Sequence, residues 1–325
     1  MQNSNFIIMT KIHFYLIIIL LLFCSSNSWA SVSADSIHAQ YFSPEVDCDA
    51  CGCSVSAMNS GIESLIENKF VGIRYLYQHY HAQEDAFSKQ LSQKQHFQTT
   101  MIWMRFPLND RMVIAATIPY HFHEKKGRNN DKINGFGDVN LTTIVQVLKT
   151  KSSEEKQMHH QLSLASGLKI PVAKFDEKST ETSNPSFQLG TGSWDTQLAL
   201  HYHLQYQNNA LQLITDYTIK SENKKKYRFG NQWNQLLQMQ RFFPLENGGI
   251  NAKIGFQNEI YEANKQFGEK IPKTKGDLQL MKYALELSHK KINLGLEYYQ
   301  TLSSNLNAGE VEAKNRMGVF VNYAL

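Results

Sequence analysis

A period of two runs through most of this chain. Trp194, Thr196, Leu198, Leu200, Tyr202, Leu204 and Tyr206 fall on one side of an extended segment. Asp195, Gln197, Ala199, His201, His203 and Gln205 fall on the other. A strand sends successive side chains to opposite faces, so the pattern predicts one apolar and one wet face. At roughly 3.3 Å per residue this stretch is about 40 Å long. Tilted by about 40°, it covers roughly 30 Å of membrane normal, the height of an apolar band with its aromatic girdles.

The pattern recurs. Val71, Ile73, Tyr75 and Tyr77 alternate with Gly72, Arg74, Leu76 and Gln78. Met112, Ile114, Ala116, Ile118 and Tyr120 make another apolar face, as do Leu211, Leu213, Thr215, Tyr217 and Ile219. Ile292, Leu294, Leu296 and Tyr298 alternate with Asn293, Gly295, Glu297 and Tyr299, and Met317, Val319, Val321, Tyr323 and Leu325 close the chain. About twelve such segments are legible: 70–80, 96–106, 111–122, 136–149, 159–172, 194–207, 209–221, 226–242, 249–264, 277–290, 291–303 and 314–325. Strands of soluble proteins average about 5–6 residues, whereas membrane-spanning barrel strands need roughly ten. A soluble β-sandwich or lipocalin-like barrel also alternates, but with shorter strands and the apolar face inward.

The connections alternate too. Long ones at 81–95, 123–135, 173–193, 265–276 and 304–313 exchange with short ones at 107–110, 207–209, 243–248 and beside Lys290. Long loops on one side and tight turns on the other are the habit of outer-membrane barrels. The link at 222–225 is shorter than this rule expects, and 150–158 is longer. The expected fold is all-β: a transmembrane, antiparallel, up-and-down barrel of about twelve strands over residues 70–325.

Residues 1–30 read differently. Lys11 precedes an apolar run, Ile12 to Phe23, interrupted only by His13, and small residues lead to Ala30. That is a secretory signal peptide, cleaved after Ala30 or alternatively Ala34. Cys24 raises a lipoprotein reading, which the bulk of Phe23 disfavours. No later apolar run approaches the roughly 20 residues of a spanning helix. The composition, 42% hydrophobic and 19% charged with net charge +4, changes this little. The lysines sit in connections rather than in a stripe, so nucleic acid is not an expected partner.

Residues 31–69 form a separate, periplasmic segment in this reading. Cys48, Cys51 and Cys53 stand as C-x2-C-x-C. Three thiols so close can converge on one soft ion, copper or zinc being the ligand-matched choices. An oxidising periplasm equally favours a disulfide that leaves one thiol over, and an anchoring or partner-contact role is the third reading. No His follows the later cysteines, so covalent haem is not indicated. Beyond them, 54–69 has the pattern of a short helix, capped by Asn59 or Ser60 with Glu63 in its first turn, that could plug a lumen.

Several stretches carry a family likeness: Arg105 to Tyr120, Gly135 to Thr142 (GFGDVNLT), Leu162 to Asp176, Gly190 to Leu204 (GTGSWDTQLALHYHL) and Tyr227 to Asn234. In that order they resemble the outer-membrane, transporter-like barrel family named after a phenol-degradation pathway. The resemblance covers most of 70–325. It implies an outer-membrane barrel whose final strand is read by the barrel assembly machinery, although such chains usually end in Phe and this one in Leu325. The phenol of the family name does not transfer.

The expected function is therefore a channel or transporter for small solutes, in the outer membrane of a Gram-negative bacterium. Its partners would be outer-membrane lipid, the assembly machinery and an unnamed solute. The expected lumen residues are Arg74, His201, His203, Asp216, Lys220, Lys253, Glu259 and Glu297. His121 and His123 share the wet side of a strand near its mouth, and His159 and His160 are read as a turn. Gly135, Gly137, Gly190 and Gly192 are expected to serve chain reversals that need positive φ. The alternatives are a structural or adhesive barrel and a barrel lipid hydrolase. The hydrolase would need Ser and His two residues apart on one face; Ser288 and His289 are adjacent and so point to opposite faces.

Overall fold

The computed structural model describes residues 69–82, 93–126, 130–150, 158–175 and 187–325. The expected signal peptide, Cys48, Cys51, Cys53 and the helix expected at 54–69 lie outside these residues, Lys69 excepted. In chain order the strands are β1 (Phe70–Ala82), β2 (Gln93–Asn109), β3 (Met112–Lys126), β4 (Asp131–Phe136), β5 (Val139–Lys149), β6 (Met158–Ile170), β7 (Asp195–Tyr206), β8 (Asn209–Lys220), β9 (Tyr227–Arg228), β10 (Gln232–Leu245), β11 (Gly248–Tyr261), β12 (Lys265–Gln266), β13 (Glu269–Lys270), β14 (Gly276–His289), β15 (Ile292–Asn305) and β16 (Val311–Ala324).

Each long strand pairs antiparallel with its neighbours in sequence, β4 and β5 together making one broken stave against β3. β1 pairs β16 on one side and β2 on the other, and β2 pairs β3. The result is a closed, antiparallel, twelve-stave barrel. Closure is what the alternation demands. A sheet apolar on one face and wet on the other has no free edge only when it meets itself.

Burial follows the period of two. Trp194 to Tyr206 present their even-numbered side chains outward, while Asp195, Gln197, Ala199, His201, His203 and Gln205 are buried inside. Exposed aromatics mark both ends of the outer wall: Trp194, Trp233 and Phe136 near one rim, Tyr206, Phe243 and Tyr323 near the other. Two-residue turns at 110–111, 207–208, 246–247 and 290–291 gather at the second end. Gln207 and Lys290 take φ of 51° and 50° there, and Asn109 Oδ1 accepts the Arg111 and Met112 amides at 2.9 Å each. The longer β5–β6 connection falls at this end too, and the long-loop end carries the others.

Two expected boundaries move, each for a local reason. The alternating stretch that begins at 226 is not one strand: β10 starts at Gln232, so the link is 221–231 and no exception to the long–short rule. Asn223 Oδ1 accepts the amides of Lys225 and Tyr227 at 3.0 and 3.1 Å, and β9 pairs with β12 in a small loop sheet. In contrast, much of 123–135 is strand, because Glu124 reaches Lys132 at 2.9 Å across a hairpin whose charged residues hide the alternation. His159 and His160 likewise lie in β6 rather than in a turn.

Candidate functional site: the barrel interior

The interior is layered along the barrel axis. At the short-turn end Phe70, Trp103 and Phe320 stack edge to face, with centroids 4.6 and 6.0 Å apart. Glycines make room for them: a Cβ on Gly295 would lie 2.0 Å from the Phe320 ring, and one on Gly72 would lie 2.6 Å from Trp103 Nε1.

Above this layer one wall is ionic. Arg74 of β1 reaches past β16 to pair with Glu297 of β15, whose other oxygen lies 3.4 Å from Lys282 of β14. Lys253 of β11 pairs with Glu286 of β14 at 2.5 Å. Arg316 of β16 crosses β15 and β14 to reach Glu259 of β11 at 3.0 Å. Tyr299 stands between two of these cations, its ring 5.7 Å from Lys282 Nζ and 5.5 Å from the Arg316 guanidinium. Glu259 also accepts from Gln257 at 2.8 Å and from the Tyr261 hydroxyl. All these charged groups are buried. Buried carboxylates persist where cations and hydrogen bonds surround them.

The facing wall, β3 to β10, is different. Asp216 of β8 is held by amides: Gln197 Nε2 at 3.0 Å and Asn234 Nδ2 at 2.7 Å. Among the described residues it has no cationic partner within salt-bridge distance. His201 is buried with neither ring nitrogen hydrogen-bonded among the described residues. Lys220 Nζ donates to Gln232 at 3.4 Å. Val113, Ile144, Ala165, Ala199, Ile214 and Leu236 pack as an apolar strip between these polar groups.

At the long-loop end the interior turns apolar. Tyr80, Phe97, Leu278, Leu280, Tyr299 and Leu306 cluster with Phe187, which comes from the segment entering β7. That segment is locked from below by Lys169, whose Nζ lies 2.5 Å from Asp195 and 3.5 Å from Asp138. Asp138 accepts the amides of Ala173 and Thr191, each at 3.1 Å, and Asp195 accepts from Ser193 Oγ at 2.9 Å and the Ser221 amide at 3.1 Å. Phe187 then reaches inward to the rings of Phe97 and His123 at 6.1 and 6.4 Å. Residues 187–193 thus narrow the mouth.

The lock explains the glycines more finely than chain reversal does. Gly135 and Gly192 do take positive φ, 153° and 66°. Gly137 and Gly190 do not; they are sites of close approach. A Cβ on Gly137 would lie 2.2 Å from His121 Nε2, and one on Gly190 would lie 2.6 Å from Asp138 Oδ1.

All eight residues expected in the lumen sit on the inner wall and are buried. They do not form one constellation. Arg74 and Glu297 pair; Glu259 and Lys253 find the partners Arg316 and Glu286; Asp216, Lys220, His201 and His203 lie on the other side. Sequence reading missed Lys282, Glu286, Arg316, Lys169 and Asp138; it put Asp195 on a wet face without naming it a lumen residue. Extending the same inward parity through segments 277–290 and 314–325 would have found the first three.

No protein-family model matches the sequence, and no curated protein matches it. The fold is nevertheless similar to solved barrels. An outer-membrane channel from Pseudomonas putida F1 aligns with TM-score 0.57 and 14% identity, over 79% of this chain and 95% of that one. The β domain of the Bordetella autotransporter BrkA aligns at 0.48 and 8% identity, over 80% and 100%. The porin NanC aligns at 0.44 and 8%, over 78% and 100%. At such identities the likeness is one of fold.

Proposed function

We propose that this protein is an outer-membrane channel for small solutes, with its long loops outside the cell and its short turns and cysteine-bearing segment in the periplasm. The observation that carries the reading is an inversion of ordinary protein architecture. Leucines, valines and aromatics point outward around the barrel, while Arg74, Lys253, Asp216, Glu259 and Glu297 point inward. Only a solvent more apolar than water rewards that arrangement. The solved outer-membrane channel of similar fold supports the same direction.

A solute entering from outside would meet the apolar ring around Phe187, then a passage with paired charges on one side and amides and imidazoles on the other. Planar-bilayer recording tests this directly. Deleting residues 35–66 is expected to raise single-channel conductance, because a plug would be gone. A barrel that inserts and stays closed after the deletion would favour the structural reading, which the deep burial of Arg74, Lys282 and Glu259 also suits.

The metal link rests on Cys48, Cys51 and Cys53. As a thiolate site they would carry about one copper or zinc per chain, Cys51→Ser would remove it, and the barrel would still fold. A quantitative disulfide with no bound metal, read by mass spectrometry of unreduced protein, would replace that assignment.

A further inference from the structure

The outer wall is not uniform at its long-loop rim. Two rungs of outward-facing side chains cross neighbouring staves there. His81 of β1 stands opposite Lys94 of β2, which stands opposite Lys126 of β3. One rung below, His79 faces His96, His96 faces Glu124, and Glu124 faces Lys132 of β4. Lys314 of β16 flanks the upper rung and pairs with Glu312 at 2.5 Å. Glu124 is shared by Lys126 and Lys132 at 3.0 and 2.9 Å. Four lysines and three histidines therefore face two carboxylates.

The aromatic belt lies directly beneath. Tyr75, Tyr77, Tyr120, Phe122 and Phe136 occupy the next outward rungs of the same staves. Tyr77 Oη meets His96 Nδ1 at 2.8 Å, and the His79 and His96 rings stack at 4.7 Å. The basic strip thus continues the belt upward, at the height where acyl chains give way to head groups. On other staves the outer wall carries acceptors at this height, Glu262 accepting from Tyr217 and Asp277 from Asn305, and lysines such as Lys225, Lys226, Lys265 and Lys270 stand in the loops instead. Cations directly opposite one another on paired strands repel. Lys94 and Lys126 stand in this way, with Glu124 3.0 Å from Lys126 and Glu312 opposite His81 at the other end of the rung, and a bound anion would relieve the lysine pair.

The geometry points to this strip as a docking surface for the phosphate-bearing head groups of outer-leaflet glycolipid. The inference rests on the outer-membrane placement above. The tyrosines and phenylalanines cover the upper acyl chains, and Lys94, Lys126, Lys132 and Lys314 meet the phosphates as point charges.

The test uses the full mature chain in nanodiscs, with bisphosphorylated lipid A and its dephosphorylated form as probes and native mass spectrometry as readout. Wild type retains the bisphosphorylated form in preference. The quadruple variant Lys94→Gln, Lys126→Gln, Lys132→Gln, Lys314→Gln loses that preference by about tenfold or more. Neutralising Lys225, Lys226, Lys265 and Lys270, in loops on other staves, leaves it intact. Heat-modifiable gel mobility verifies that each barrel is folded and inserted, so a protein that fails to insert indicts the membrane placement and not the strip. Should the quadruple variant alone fold poorly, Lys94→Glu serves, with the same expected direction. Equal retention of both lipid A forms by wild type overturns the inference. So does saturation of the strip by inorganic phosphate as readily as by lipid A. A lipid-free dimer that the four substitutions dissociate would make the surface a contact between copies, and also overturns it.

Discussion

Two walls of one interior solve the problem of buried polarity differently. On β1, β11 and β14 to β16, the carboxylates of Glu259, Glu286 and Glu297 are each met by a cation, and Tyr299 fills the space between Lys282 and Arg316. On β7, β8 and β10, Asp216 is met by amides, and His201 has no hydrogen-bond partner among the described residues. The first wall is an ionic lattice in which each carboxylate pairs with a cation. The second leaves charge and hydrogen-bonding capacity for what is not protein. A passage needs both: a stiff side that holds the barrel round and a side that can exchange partners. If the barrel conducts as proposed, stability falls to the first wall and solute contact to the second.

The sharpest way to break this contrast is to remove one carboxylate from each wall. Glu297→Gln strands Arg74 and Lys282 together in a buried site and is expected to cost about 3–5 kcal/mol. Asp216→Asn removes a carboxylate that no neighbouring cation needs, and is expected to cost less than about 1 kcal/mol. Urea unfolding from lipid vesicles measures both. Equal costs would mean that the walls do not differ.

A second comparison sets the outer wall against the inner one on the same strand. Leu200→Arg places a cation against lipid near mid-height and should cost about 2–4 kcal/mol. Gln197→Arg places one inside, beside the Asp216 carboxylate that Gln197 already touches at 3.0 Å, and should be tolerated. Comparable damage from the two would show that β7 is turned the wrong way round.

The smallest effect is functional. Asp216→Asn should reduce the cation-to-anion permeability ratio by about twofold, because it removes fixed negative charge from the wall assigned to solute contact. Reversal potentials in asymmetric salt read this out. A ratio unchanged by Asp216→Asn, with conductance intact, would take that wall out of the conduction path.

Most of the fold was legible because a membrane barrel writes its constraint residue by residue. Every second side chain must suit lipid and every other one the interior, so Trp194 to Tyr206 declare their orientation without any partner being known. The pattern fails where that constraint ends. Above the apolar band, Glu124, Lys126 and Lys132 are all polar, and the hairpin they form looks like a loop. At 226–231 the alternation persists, but Asn223 and β12 draw Tyr227 and Arg228 into a loop sheet.

The sequence by itself determined the closed barrel, the order of its staves and the inward or outward sense of each side chain, because these follow from a period of two and from the length needed to cross a bilayer. Only the tertiary structure decided which inward groups meet. Arg316 and Glu259 are 57 residues apart and separated by two staves, and Arg74 and Glu297 are 223 residues apart. The same is true of Asp138, Lys169 and Asp195, which come together because the register sets Lys169 opposite Asp195 on β7 and beside the start of β5. Parity along a strand says that a side chain points inside. It says nothing of height or azimuth relative to other strands, and those are fixed by closure and stagger of the whole barrel.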